Sequence, residues 1–197
     1  MKETLVPAAA VCRGVAHHDE AISGSHRLHL CDDYVGRSRL QCARQLVFYF
    51  LDNNTLAEAN GGPPLVSYGG TLSNGYHFGV NKGLSLSGTG AFDSYSIDIH
   101  FYFDSVNASF NGYQRILDFK NRTSDSGLYS LNGSLVLFAS SYQPGDPSAG
   151  STTRVFTNGT MADLLVTRNA SGLFSAYVNG NLAFSVMDTD GGHEIFR

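Results

Sequence analysis

Residues 95–103 read Tyr95-Ser96-Ile97-Asp98-Ile99-His100-Phe101-Tyr102-Phe103. Successive side chains of an extended chain point to opposite sides. Tyr95, Ile97, Ile99, Phe101 and Phe103 therefore share one face, and Ser96, Asp98, His100 and Tyr102 share the other. Nine residues of unbroken period two, rich in β-branched and aromatic types, predict a strand buried on one side only.

Two hairpins extend this reading. Leu128–Leu131 and Ser134–Phe138 flank Asn132-Gly133, and Phe174–Val178 and Asn181–Val186 flank Asn179-Gly180. Asn-Gly accepts the positive φ angles of a type I′ turn, whose twist suits two antiparallel strands. Further strands are predicted at Leu46–Phe50, Tyr76–Val80, Leu84–Ser87, Gln114–Phe119 and Leu164–Arg168. Asn60–Pro64 and Pro144–Thr153 read as loops, and the helix-compatible Thr55–Ala59 is too short to set the class. About ten strands punctuated by turns indicate an all-β sandwich or jelly roll.

Composition agrees. Of 197 residues, 15% are charged and 22 are Gly, which argues against a coiled coil, a helical bundle or a highly charged disordered chain. A net charge of -4 and a pI near 5.9 carry no electrostatic footprint for nucleic acid. No apolar run approaches the ~20 residues of a membrane-spanning helix.

The chain changes character near residue 45. All three cysteines (Cys12, Cys31, Cys42), four of seven His and six of thirteen Lys and Arg precede that point, with only three of the 22 Gly. Lys2 followed by the apolar stretch Leu5–Cys12 looks like a weak secretory leader. Residues 17–45 show neither alternation nor helical period, so residues 1–45 are expected to be a signal-like and poorly ordered segment before a sandwich over 46–197. Cys31, Cys42, His26 and His29 supply metal-binding types, but no C-x-x-C pair is present to support a zinc site.

The segments "YSIDIHFYF", "GYQRILDFKNRTSDSGLYSLNGSLVLF" and "LLVTRNASGLFSAYVNGNLAFSV" together resemble a laminin-G-like, concanavalin A-like lectin/glucanase domain. The form is similar to that of bacterial secreted proteins, many of which carry a C-terminal PEP-CTERM sorting tail. The resemblance runs from about Leu46 to Gly192 and implies a two-sheet antiparallel jelly roll. The family continues past the "FSVMDTDG" region with further strands, so the resemblance implies a sandwich truncated at its C-terminal end. An edge strand such as Leu46–Phe50 would then lack a neighbour. Loop acids bind calcium in many such domains.

Candidate site residues follow. Asp98, His100, Tyr102 and Asp104 form a polar row that would hydrogen-bond sugar hydroxyls, with Tyr102 stacking on a ring. An ordinary solvated strand face is the competing reading. Asp188 and Asp190, in Asp188-Thr189-Asp190-Gly191, offer hard oxygen ligands to Ca²⁺ but lack the remaining positions of an EF-hand loop. Asp118 is expected to cap its turn or pair with Lys120 or Arg122, and Asp125 lies in the neighbouring "TSDSG". Six Asn (53, 107, 121, 132, 158, 169) open N-x-[ST] sequons, readable as glycan acceptors or as turn residues. A laminarinase-type glycosidase needs paired carboxylates at Glu-x-Asp-x-Glu spacing, and the body holds only Glu58 and Glu194. No G-x-S-x-G elbow supports a Ser-His-Asp triad.

These readings converge on a secreted or cell-surface, non-catalytic module recognising a glycan or the extracellular matrix, with Ca²⁺ as the one cofactor considered. The alternatives are a structural or adhesive domain without a sugar site, and a divergent glycan-cleaving enzyme.

Overall fold

The strand at Tyr95–Phe103 lies where its alternation puts it, inside a sheet of nine strands. The structure, a computed structural model, describes residues 8–11, 28–29, 46–86, 94–107, 110–119, 127–138 and 150–188, with backbone alone at 8–11, 28–29, 46–47 and 110. In chain order the strands are β1 (Ala8–Val11), β2 (Leu28–His29), β3 (Leu46–Val47), β4 (Val66–Ser67), β5 (Thr71–Leu72), β6 (Tyr76–His77) and β7 (Leu84–Ser85). Then come β8 (Tyr95–Phe103), β9 (Tyr113–Asp118), β10 (Gly127–Leu131), β11 (Ser134–Phe138), β12 (Ala162–Arg168), β13 (Leu173–Val178) and β14 (Asn181–Met187). The described residues contain no α-helix, and all strand pairings are antiparallel.

The large sheet runs β14-β13-β12-β8-β1-β6-β5, with β2 also bonded to β8 and β3 to β2. A second sheet, β11-β10-β9, faces it, and β4-β7 form a small ribbon. One apolar cluster joins the two larger sheets. From the first come Phe101, Phe103, Leu164, Val166, Phe174, Ala176, Val178 and Phe184, and from the second Leu128, Leu135 and Leu137, all buried. Inward faces of two sheets packed on a shared core are the sandwich arrangement. Phe101, Phe174, Ala176 and Val178 are fully buried, while Ile97 and Ile99 pack against the core half-covered.

Both Asn-Gly hairpins close as two-residue turns. Asn132 and Gly133 have φ of 50° and 91°, and Asn179 and Gly180 have 51° and 77°, the positive pair a type I′ turn requires. At Gly127 the constraint is space, since a Cβ there would sit 2.1 Å from the Leu117 carbonyl oxygen.

Residues 46–86 are built differently. Their strands are two residues long, and Tyr49, Leu51 and Tyr76 form a separate small core with Leu56, Leu65 and Phe78 packed around it. Polar side chains do the organising. The Glu58 carboxylate accepts backbone N–H bonds from Phe48 (2.7 Å), Asn60 (2.7 Å) and Gly62 (2.9 Å). The buried Tyr76 hydroxyl meets Ser67 Oγ at 2.5 Å and donates to the Gly69 carbonyl at 3.0 Å.

Where the predicted strands differ from the observed ones, the difference is mostly length. Tyr76–Val80 shrinks to β6, and Leu46–Phe50 shrinks to β3 plus a bridge from Tyr49 to Glu58. Of the segment before residue 46, the backbone at β1 and β2 pairs with β8. The rest of that segment, including Cys12, Cys31, Cys42 and His26, lies outside the described residues, as do Lys120, Asn121, Arg122, Asp125, Asp190 and residues 189–197.

Candidate functional site

The outward face of the large sheet carries the polar row. β8 supplies Ser96, Asp98, His100 and Tyr102, and the antiparallel register sets a β12 residue against each of the first three: Thr167, Leu165 and Asp163 respectively. β13 continues these rows with Ser175 and Tyr177, and β14 with Ser185 and Leu182. Three rungs result across four strands. The first is all hydroxyls, Ser96-Thr167-Ser175-Ser185, with Ser175 Oγ and Ser185 Oγ 2.7 Å apart. The second is Asp98-Leu165-Tyr177-Leu182, and the third is His100-Asp163, continued by Asn179.

The third rung is bonded throughout. His100 Nδ1 donates to Asp163 Oδ1, since a carboxylate only accepts. Asn179 Oδ1 accepts the Asp163 backbone N–H at 2.9 Å. His100 is largely covered, and the Asp163 side chain is 57% exposed.

Asp98 behaves otherwise. It is 9% exposed, and among the described residues no side chain bonds or ion-pairs with it. Burial first, and the neighbouring Asp163 charge second, push its pKa up to about 7, against the opposing N–H of Ile99. The centre of the face is thus covered, as Ser175 at 6% also shows, while Leu173, Leu182 and Met187 at the margin stand out.

At the Asn179 hairpin, on the core side of the large sheet, an open cleft of about 320 Å³ is lined by Ser151, Thr153, Val155, Val178, Asn181 and Ala183 among others. Its polar groups are hydroxyls and amides without charge. Asn181 Nδ2 donates to the Asn179 carbonyl at 3.2 Å.

Asp98, His100 and Tyr102 therefore share the expected face, while Asp104 follows the strand as an exposed residue. Asp163 and Asn179 join them. Asp163 lies one residue before the predicted strand Leu164–Arg168, and the alternation Asp163, Leu165, Thr167 against Ala162, Leu164, Val166 was the signal that would have found it.

Asp188 occupies another setting. Its side chain is fully buried and accepts from Arg168 Nε at 2.8 Å, and Arg168 is itself 4% exposed. Burial drives the neighbouring Tyr95 hydroxyl well above its ordinary pKa, with Arg168 opposing and Asp188 adding to the rise. Among the described residues no three His, Cys, Asp or Glu side chains are placed to hold a metal ion. Asp118 pairs with Arg115 on its own strand. Two of the sequon residues serve the backbone: Asn158 Oδ1 accepts from Val106 N–H at 2.9 Å, and Asn169 Oδ1 from Ser171 and Leu173 N–H at 3.1 and 2.9 Å.

Compared with protein-family models, with curated proteins and with solved structures, the chain finds no match. No helix among the described residues is long and apolar enough to cross a membrane.

Proposed function

We propose that the chain is a glycan-binding module of the laminin-G-like, concanavalin A-type jelly-roll form, acting without catalysis outside the cell or on its surface. One observation supports the reading: a hydroxyl rung and the His100-Asp163-Asn179 rung share the outward face of the large sheet, and an uncharged cleft opens at the Asn179 hairpin end of that sheet. Ligand sites of this kind combine an apolar or aromatic floor with a few convergent polar groups. Here Tyr177 and Leu182 lie between the polar rungs. Paired acceptors and donors at fixed spacing suit the vicinal hydroxyls of a sugar.

The test is a glycan array on the full chain, with and without Ca²⁺. Binding to a restricted set of saccharides is expected, falling about tenfold or more in Asp163→Asn and in Asn181→Ala, since each removes a hydrogen bond to ligand. An array with no binder in either condition overturns the reading.

The Asp98 and Asp163 carboxylates also favour a second reading, a glycan-cleaving enzyme. Two neighbouring carboxyl groups, one with its pKa raised by burial, are the kind of pair that glycoside hydrolysis uses. Release of reducing ends from β-glucans or galactans, abolished in both Asp98→Asn and Asp163→Asn, would select it over the binding module.

A further inference from the structure

β14 closes the large sheet at one end. Among the described residues β13 is its one strand partner, and nothing bonds to the outer backbone edge of Leu182–Val186. The other sheet ends are blunted. β3, β5 and the β4-β7 ribbon are two residues long, β9 carries Arg115 and Asp118, and β11 is bridged at Val136 by Gly150. Short, charged or covered edges are how sheets avoid pairing with other chains. β14 reads Asn181-Leu182-Ala183-Phe184-Ser185-Val186-Met187, with neither charge nor proline, and its one protective device is a bulge near the turn.

The register gives this edge a symmetry. Along β13, Leu182 meets Tyr177, Phe184 meets Ala176, Ser185 meets Ser175, Val186 meets Phe174 and Met187 meets Leu173, with Ala183 the extra residue of the bulge. Leu182, Ser185 and Met187 therefore point outward, and Phe184 and Val186 point into the core. Counted from Ser185, both directions read alike: a buried apolar residue, then an exposed one. Leu182 and Met187, at 57% and 43% exposure, end the pattern, and Leu173 beside Met187 is 39% exposed.

We infer that the chain forms a two-fold dimer in which β14 pairs antiparallel with β14 of a second copy, centred on Ser185. Directly opposite residues of antiparallel strands lie on the same face. This centring sets Ser185 against Ser185, Phe184 against Val186 and Leu182 against Met187, the last two pairs occurring twice. Hydroxyl meets hydroxyl, core residue meets core residue, and exposed apolar residue meets exposed apolar residue. Such self-complementarity is what a two-fold interface requires. At each end of the joint, Tyr177 and Leu182 of one copy continue into Met187 and Leu173 of the other as one apolar row. The hydroxyl rung Ser96-Thr167-Ser175-Ser185 likewise runs through the axis into its counterpart. An edge this short buries less than a standard interface, so dissociation is expected in the micromolar range.

Sedimentation velocity of the full chain from about 1 to 200 μM tests the inference. A monomer–dimer equilibrium with no larger species is expected. Leu182→Lys and Met187→Glu each bring a charge into an apolar contact and are expected to weaken dimerisation about tenfold or more. Combined in one chain, they set a cation opposite an anion on both end rungs, and affinity is expected to return to within about threefold of the parent. Ser185→Lys opposes two cations on the axis and should leave a monomer. All three positions are exposed, so the variants keep the parent's thermal unfolding transition to within a few degrees.

A monomer throughout the concentration range overturns the inference. So does a dimer that survives either single change or Ser185→Lys intact, and so does a failure of the combined variant to recover it. An open-ended series of oligomers overturns it as well, because a two-fold pairing closes on itself. The glycan reading stands or falls on its own array, whichever of these is found.

Discussion

Residues 46–86 and residues 94–188 reach order by different routes. Among the described residues of the second region seventeen buried apolar residues interlock between two sheets, and the strands run five to nine residues. In the first, three buried residues hold a small core, and the chain path is fixed by Glu58 and Tyr76 bonding to backbone groups. Burial of area is cooperative and tolerant of any one contact, whereas an acceptor holding several N–H groups concentrates local order in one side chain. The first kind of order writes a period into the sequence. The second writes single residues.

The largest expected effect falls in the sandwich. Phe174 is fully buried, with Phe119 and Phe184 rings 6.1 and 6.2 Å from its own. Phe174→Ala should cost about 4 kcal/mol in denaturant unfolding, with a single transition retained. A loss below about 1 kcal/mol would mean that the two sheets do not share a core.

Next comes the buried pair. Arg168→Met removes the Arg168 charge and its Nε donor from the buried Asp188 carboxylate, at a cost of about 3 kcal/mol, whereas Arg168→Met with Asp188→Leu should recover most of it. A double variant as unstable as the single one would show that the pair specifies the sandwich rather than merely filling it.

Glu58→Gln comes third, at about 1–2 kcal/mol. Hydrogen exchange should speed up at the amides of Phe48, Asn60 and Gly62 well before the sandwich amides respond. Equal acceleration in both regions would break the comparison. Those three N–H bonds, outweighing burial, hold the Glu58 pKa below its ordinary 4.5. Its contribution is therefore present above that value and lost as pH falls through the lower folded one.

The last effect has the opposite sign. Asp98 ionises near 3.8 when unfolded and near 7 when folded. Stability linked to it is complete below the first value and lost as pH rises through the second. Asp98→Asn should accordingly be more stable than the parent at pH 8, with the advantage shrinking toward pH 4. An unchanged difference across that range would mean Asp98 is solvated after all.

Legibility followed the same division. β8 and both Asn-Gly hairpins could be read because period two persisted long enough to be distinguished from chance, and because type I′ turns demand one dipeptide chemistry. In 46–86 two-residue strands carry no period, so Tyr76–Val80 was overextended and Glu58, in a stretch read as weakly helical, hid its role as a backbone acceptor. The site was half legible. Parity gave Asp98 and His100 but stopped one residue short of Asp163. Parity also held the answer for Asp188, which follows inward-facing Phe184 and Val186 just as Arg168 follows Leu164 and Val166. An acid and a base at buried parity on neighbouring strands describe a pair, and the acidic turn chemistry of Asp188-Thr189-Asp190-Gly191 drew attention away from it.

The register that sets His100 against Asp163 also has a kinetic meaning. These two residues are 63 apart in the chain, and β9, β10 and β11 all lie between them. Closing so long a loop costs entropy before any strand contact returns it, while the Asn-Gly hairpins form locally within microseconds. The three-stranded sheet should therefore assemble inside the still-open loop and shorten it. Zippering of β8 onto β12 then becomes the slow event, in the millisecond-to-second range of proteins dominated by distant pairings. On this timetable the His100–Asp163 bond forms last among the strand contacts described here, and an imidazole resonance shifted by that carboxylate would time the completion of folding rather than its onset.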